Sequence, residues 1–178
     1  MVRHFFLELQ PWIIMSGTPA EVISYRRNHF STRLPAERLY SRSHFWLQST
    51  EPGRWRIGMT GFATRMLGEI VEFDFEVQPE SSVEIGQTVG WIEGFKAVSD
   101  LICVAAGRFC GSNRGADEVS ELICKKPYTL GWLYEVEGTP DPQAVDVHGY
   151  VALLDATIDK MLEKPWRSPT DFATDSSA

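Results

Sequence analysis

The chain has 178 residues, 43% of them hydrophobic, which suits one domain with a core of ordinary size and leaves little room for two. The net charge of −7 is uneven: residues 1–43 carry six Arg against three Glu, and the rest holds the excess of acid. An acidic body excludes a nucleic-acid binder, which needs concentrated positive charge, and no apolar run approaches the roughly 20 residues of a membrane span.

Residues 1–39 read as an N-terminal extension. Met1 to Leu7 is apolar, but Glu8 and Gln10-Pro11 interrupt it, so it is not read as a signal peptide. Pro19 to Arg27 predicts a short helix, with Thr18 as its cap and Pro19 at its first position. Residues 28–39, with Asn28, Ser31, Thr32 and Pro35, read as an extended connector.

From Tyr40 the texture changes to short β segments. Phe45-Trp46-Leu47 leads to a turn at Glu51-Pro52-Gly53, and Trp55 to Met59 is the next strand. Ala63 to Leu67 reads as one turn of helix stopped by Gly68. Ile70 to Val77 alternates, with Val71, Phe73, Phe75 and Val77 on the apolar face. Val89 to Phe95 and Val98 to Val104 are strands on either side of Lys96. Arg108 to Ser112 and Trp132 to Val136 complete a mainly β set, which predicts a sandwich or barrel. Asp146 to Leu162 then places Val147, Tyr150, Leu153, Leu154, Ile158 and Leu162 at helical spacing, with Asp146 as cap. Residues 163–178 are polar and are expected to be a disordered tail.

Little of the chain offers catalytic chemistry. His4, His29, His44 and His148 are scattered, and no Gly-rich phosphate loop precedes a helix. Cys103, Cys110 and Cys124 form no Cys-x-x-Cys pair, so zinc and disulfide frameworks are weak readings. Buried free thiols in a reducing compartment are expected instead, the bacterial cytoplasm first with a mitochondrial location as the alternative. Lys96 differs in its setting. Trp91-Ile92 lies before it and Val98 and Leu101-Ile102 after it, so it sits where two strands meet and a hairpin tip would hold it out into solvent. An isolated turn lysine is ordinarily only solvated; the surroundings set this one apart.

Glu93-Gly94-Phe95-Lys96-Ala97-Val98-Ser99-Asp100 resembles the Glu-Ser-x-Lys-Ala-x-Ser-Asp motif of the H-protein of the glycine cleavage system. Tyr40-Ser41-Arg42-Ser43-His44-Phe45-Trp46 resembles that family's Tyr-x-x-Ser-His-Glu-Trp, and Ile57 to Ala63 its Val-Gly-Ile-Thr-x-x-Ala. Leu67-Gly68-Glu69-Ile70 resembles Leu-Gly-Asp-Ile, and Pro127 to Trp132 resembles Pro-Tyr-x-x-Gly-Trp. The likeness covers residues 40–162 in one order and spacing. It implies a barrel-sandwich hybrid fold of the lipoyl type with a C-terminal helix, and lipoate joined to Lys96 by an amide bond. It implies a monomeric carrier rather than an enzyme, passing the aminomethyl group from glycine decarboxylase to an aminomethyltransferase and reoxidised by dihydrolipoyl dehydrogenase. A lipoate-attaching enzyme would recognise Glu93, and Ala97 would flank the attachment lysine.

The sequence departs from the family at several positions. Gly94 stands for the usual Ser and is expected to loosen the strand before Lys96. Val104 and Ala105-Ala106 stand for a Pro and Ser-Gly partner, Cys124 for a common Asn, and Lys126 for an acidic residue. Phe45 stands, beside His44, where the family has the Glu that helps hold the charged amine of the loaded arm in a cleft. Phe45 offers only a weak cation–π attraction there, and Asp100, which matches the family's other carboxylate near the arm, is expected to compensate. Two competing readings stand: a lipoyl carrier for another pathway, such as lipoyl relay or sulfur-intermediate handling, and an unmodified interaction module.

Overall fold

The computed structural model of the protein describes residues 21–113 and 119–163. In chain order its elements are β1 (Val22–Arg27), β2 (Phe30–Pro35), β3 (Leu39–Tyr40), β4 (Phe45–Glu51), β5 (Arg54–Met59) and α1 (Gly61–Leu67). Next come β6 (Ile70–Phe75), β7 (Ser82–Val83), β8 (Thr88–Gly94), β9 (Ala97–Ile102) and β10 (Ala105–Ser112), then α2 (Val119–Lys125), β11 (Tyr134–Pro140) and α3 (Val147–Glu163). A six-stranded sheet ordered β3-β4-β5-β11-β10-β7 packs on a three-stranded sheet ordered β6-β8-β9. Leu47, Ile57 and Val136 from the first meet Phe75, Ile92 and Leu101 from the second in one buried core. Phe75 joins the two sheets most directly, its ring 5.5 Å from that of Phe109 and 5.7 Å from that of Tyr134. The architecture is the expected mainly β one, closed by a C-terminal helix.

Helix α1 begins and ends on local signals. The Thr60 side chain accepts a hydrogen bond from the Ala63 N–H, and Gly68 ends the helix by donating its N–H to the Thr64 carbonyl. Helix α3 is capped as expected, with the Gly149 N–H on the Asp146 carboxylate at 2.8 Å. Val147, Tyr150, Leu154 and Ile158 form its buried stripe, Leu153 is partly buried, and Leu162 is exposed.

Three expectations are corrected. Residues 22–27 form a strand rather than a helix, and 28–39 are no loose connector: β1 and β2 pair as an antiparallel hairpin from Val22↔Pro35 to Arg27↔Phe30. Ile23, Tyr25, Phe30 and Leu34 point inward at strand spacing and join Tyr40, Trp46, Phe62 and the α3 stripe in a second buried cluster. Asn28, in the left-handed region, makes the turn. Thr18, Pro19 and the tail from 164 lie outside the described residues. In β6, a bulge between Ile70 and Glu72 breaks the alternation, so Ile70 is buried while Val71 is 59% exposed. Finally, α2 was not foreseen; it is short, with only Val119 and Ile123 buried.

Candidate functional site

Strands β8 and β9 form a hairpin whose last pair is Gly94↔Ala97, which leaves Phe95 and Lys96 as the two turn residues. Two-residue hairpin turns ordinarily draw on residues with positive φ. Neither Phe95 nor Lys96 is among the described residues with positive φ, and the tip is held instead from the side. The Lys96 N–H donates to the Leu67 carbonyl at 2.9 Å, and the Phe95 N–H donates to the Glu69 carbonyl at 2.8 Å. The end of α1 and the start of β6 thus fix the tip.

Two glycines make that fit. A Cβ at Gly94 would stand 2.4 Å from the Leu67 carbonyl oxygen. Gly94 therefore does not loosen the strand, as the sequence suggested; it is buried and allows two backbones to meet. Gly68, at φ +82°, lies beneath the lysine, and a Cβ there would meet Lys96 Cγ at 3.2 Å. The bare backbone gives the aliphatic stem of Lys96 a seat.

Of the residues singled out from the sequence, the hairpin brings four together. Lys96, Glu93, Ala97 and Asp100 are all exposed. Glu93 lies between Glu72 and Val98 across the sheet, and Asp100 faces Trp91 two residue pairs further from the tip. Phe95 is 84% and Val98 66% exposed. Beside the tip lies an open groove of about 490 Å³, lined by Lys96, by Gly61, Thr64 and Arg65 of α1, by Gly68 and Glu69, by Cys124, and by Ser31 and Thr32 of β2.

His44 and Phe45 do not line this groove. Phe45 is buried in the main core at 3% exposure; its neighbours are apolar, and no arm reaches it without unpacking them. His44 packs against Phe62 at 4.6 Å, and its Nδ1 lies 2.9 Å from the Tyr150 hydroxyl, which also meets Thr60 Oγ1 at 2.9 Å. Burial pushes the His44 imidazole down to about 4, so it is neutral and structural, joining β4 to α3. Sequence reasoning missed the groove-lining role of Ser31, Thr32, Thr64, Arg65, Glu69 and Cys124. Only Glu69 had a signal, its place in Leu67-Gly68-Glu69-Ile70.

Among the described residues no three His, Cys, Asp or Glu side chains cluster to hold a metal, and no helix is long and apolar enough to cross a membrane. What the arrangement offers is a primary amine on a rigid mount beside an open groove. Residues 38–154 match the family described as glycine cleavage H-protein.

The chain belongs to the glycine cleavage H-protein family.

It is 36% identical over 126 residues to the glycine cleavage system H protein of Corynebacterium jeikeium, covering 68% of this chain and 97% of that one. It is 32% identical over 129 residues to the namesake from Klebsiella pneumoniae, covering 70% and 98%. A crystal structure of a glycine cleavage system H protein from Mycobacterium marinum superposes with a TM-score of 0.62 at 30% identity, covering 68% of this chain and 99% of that one. The H-protein is the non-catalytic carrier component of its system, in line with the reading of this chain as no enzyme. Hairpin β1–β2 and the half of α3 beyond residue 154 fall outside the H-protein match.

Proposed function

We propose that Lys96 carries a lipoyl group in amide linkage, and that the protein carries the aminomethyl group of glycine cleavage between glycine decarboxylase, an aminomethyltransferase and dihydrolipoyl dehydrogenase. The observation that supports this best is the tip itself: an exposed lysine in a two-residue turn, tied by the N–H groups of residues 96 and 95 to Leu67 at the end of α1 and to Glu69 before β6. The residues fit the group. The stem of Lys96 lies over Gly68, where any side chain would crowd it, and a groove opens beside it. When bound, the dithiolane supplies the thiol chemistry. The chain's own residues fix the attachment point, keep it in solvent where a lipoate-attaching enzyme can reach it, and surround it with Glu93, Phe95, Ala97 and Val98 as the surface that enzyme meets.

Intact-mass measurement tests the attachment. Incubation with lipoate, ATP and a lipoate-attaching enzyme should add one lipoyl group to the parent and none to Lys96→Arg. The melting temperature of that variant should stay unchanged, since exposed substitutions usually stay within about 0.5 kcal/mol. A lipoyl group on the Arg variant, or none on the parent, contradicts the proposal. A second reading, a lipoyl carrier for a different reaction, draws support from Phe45, which stands where the family has a carboxylate and is buried in the core. Glycine–bicarbonate exchange with a decarboxylase separates the two: a lipoylated protein that supports no exchange belongs to the second.

A further inference from the structure

Hairpin β1–β2 lies outside the family match, yet it borders the groove beside Lys96. Among the described residues β2 pairs with β1 alone, so its other edge is free, and Ser31 and Thr32 line the groove. A two-stranded ribbon is marginal by itself in water. This one is fastened at several points far away in sequence. The Arg27 guanidinium donates to both oxygens of Asp159 at 2.6 Å and to Asp155 at 2.8 Å, and the Tyr25 hydroxyl donates to Asp155 at 2.8 Å. Phe30 packs edge-on against Phe62 of α1 at 5.1 Å, and the Arg65 guanidinium lies over the Phe30 ring, 5.0 Å from its centroid. Thr32 hydrogen-bonds Tyr128, whose hydroxyl accepts the Gly61 N–H at 3.0 Å. A Cβ at Gly61 would come within 2.9 Å of Thr32 Oγ1, so strand and helix start already touch.

Anchors on α3, on α1 and on Tyr128 hold the hairpin as a stiff wall, and its polar edge faces the side on which the Lys96 stem lies. From this we infer that hairpin β1–β2 is an added wall of a resting groove for the acyl arm on Lys96, with the Ser31 and Thr32 hydroxyls as hydrogen-bond partners for the arm's polar groups. The inference rests on lipoyl attachment at Lys96. Ser31 and Thr32 are positioning residues: they hold the arm between transfers and shield its sulfurs from solvent.

The test measures access to the sulfurs rather than activity. Lipoylated full-length protein is reduced and treated with a bulky maleimide, and alkylation of the Lys96 peptide is followed by mass spectrometry, which separates it from Cys103, Cys110 and Cys124. Ser31→Ala/Thr32→Val removes both hydroxyls while nearly keeping volume. Tyr25→Phe/Arg27→Met releases the hairpin from α3 without touching the groove. Losing about one hydrogen bond should raise the alkylation rate roughly three- to ten-fold in either variant, and the parent should react more slowly than free reduced lipoamide. If Tyr25→Phe/Arg27→Met fails to fold, the Ser31/Thr32 pair decides alone. Equal rates in the parent, the variants and free lipoamide overturn the wall while leaving lipoyl attachment standing. A parent that gains no lipoyl mass overturns both.

Discussion

Gly94→Ser tests the geometry of the Lys96 tip most directly, because it restores the residue usual in the family. A Cβ at position 94 would stand 2.4 Å from the Leu67 carbonyl oxygen and 2.8 Å from its carbon. Carbon–oxygen contacts ordinarily lie at about 3.3 Å or more, so strand and helix end must part by roughly 1 Å. Both are backbone, and no side chain can rotate away. Overpacking of this kind costs about 1–3 kcal/mol. Parting also stretches the hydrogen bonds from Lys96 N–H to Leu67 and from Phe95 N–H to Glu69, now 2.9 and 2.8 Å, each contributing about 0.5–1.5 kcal/mol. The expected loss is about 2–4 kcal/mol, a fall in Tm on the order of 10 °C for a chain of this size. Urea unfolding gives the stability, and amide exchange at residues 95 and 96 reports the two bonds. Gly94→Ala carries the same Cβ without the hydroxyl and should lose as much. A Gly94→Ser protein within about 0.5 kcal/mol of the parent, with unchanged exchange at the tip, would refute the close approach.

Three further outcomes follow from burial. His44 titrates near 6.5 in the unfolded chain but at about 4 when folded, so the unfolded state binds the extra proton first and stability falls as pH drops from about 6.5 to about 4. The loss is up to roughly 3 kcal/mol, and urea midpoints across this range should fall less steeply in His44→Gln; parallel slopes would remove His44 from the account. Phe45→Glu, which by sequence alone would restore an arm-binding carboxylate, places that group in an apolar core; it should cost several kcal/mol, and a variant that unfolds at the parent's urea midpoint would show that Phe45 is not packed there. Leu154→Ala, in the fully buried stripe of α3, should cost about 2–5 kcal/mol by denaturant unfolding, against less for Leu153→Ala.

The central hairpin and α3 were legible because each follows from local signals. Apolar runs on both sides of Lys96 gave two strands, Asp146 gave a cap, and Gly68 gave a stop. The β1–β2 hairpin was hidden behind a proline and a threonine that suit a helix start. Its real signal was the alternation of Ile23, Tyr25, Phe30 and Leu34 with polar residues, but what stabilises it is Arg27 reaching Asp155 and Asp159 across the fold, and no local window contains that. The bulge in β6 escaped for a related reason: alternation assumes one residue opposite one residue, and Val71 breaks that count. At the site, the residues of the Lys96 hairpin could be read because they are contiguous. The groove could not, since Thr32, Arg65, Glu69 and Cys124 meet only through the packing of α1 and α2 with the hairpin. Phe45 misled for the opposite reason: a motif position suggested a cleft, and the packing of β4 put its side chain in the core.

With a lipoyl group attached as proposed, the side tethers on residues 95 and 96 would make Lys96 a pivot instead of a second flexible link. A chain fixed to a pivot searches a cap of space whose radius is its own length, whereas a swinging mount would add its travel and spread the same chain through a larger volume at lower local concentration. A partner therefore has to bring its reaction centre into that cap, and the directions of approach are not equivalent. Along the outer face of β6–β8–β9 it meets Glu72, Glu93 and Asp100 with the exposed ring of Phe95 at the summit. From the opposite flank it meets the hydroxyls of Ser31 and Thr32 and the guanidinium of Arg65. Under the proposed function, enzymes taking turns on Lys96 would in this way be told apart by the side from which they come.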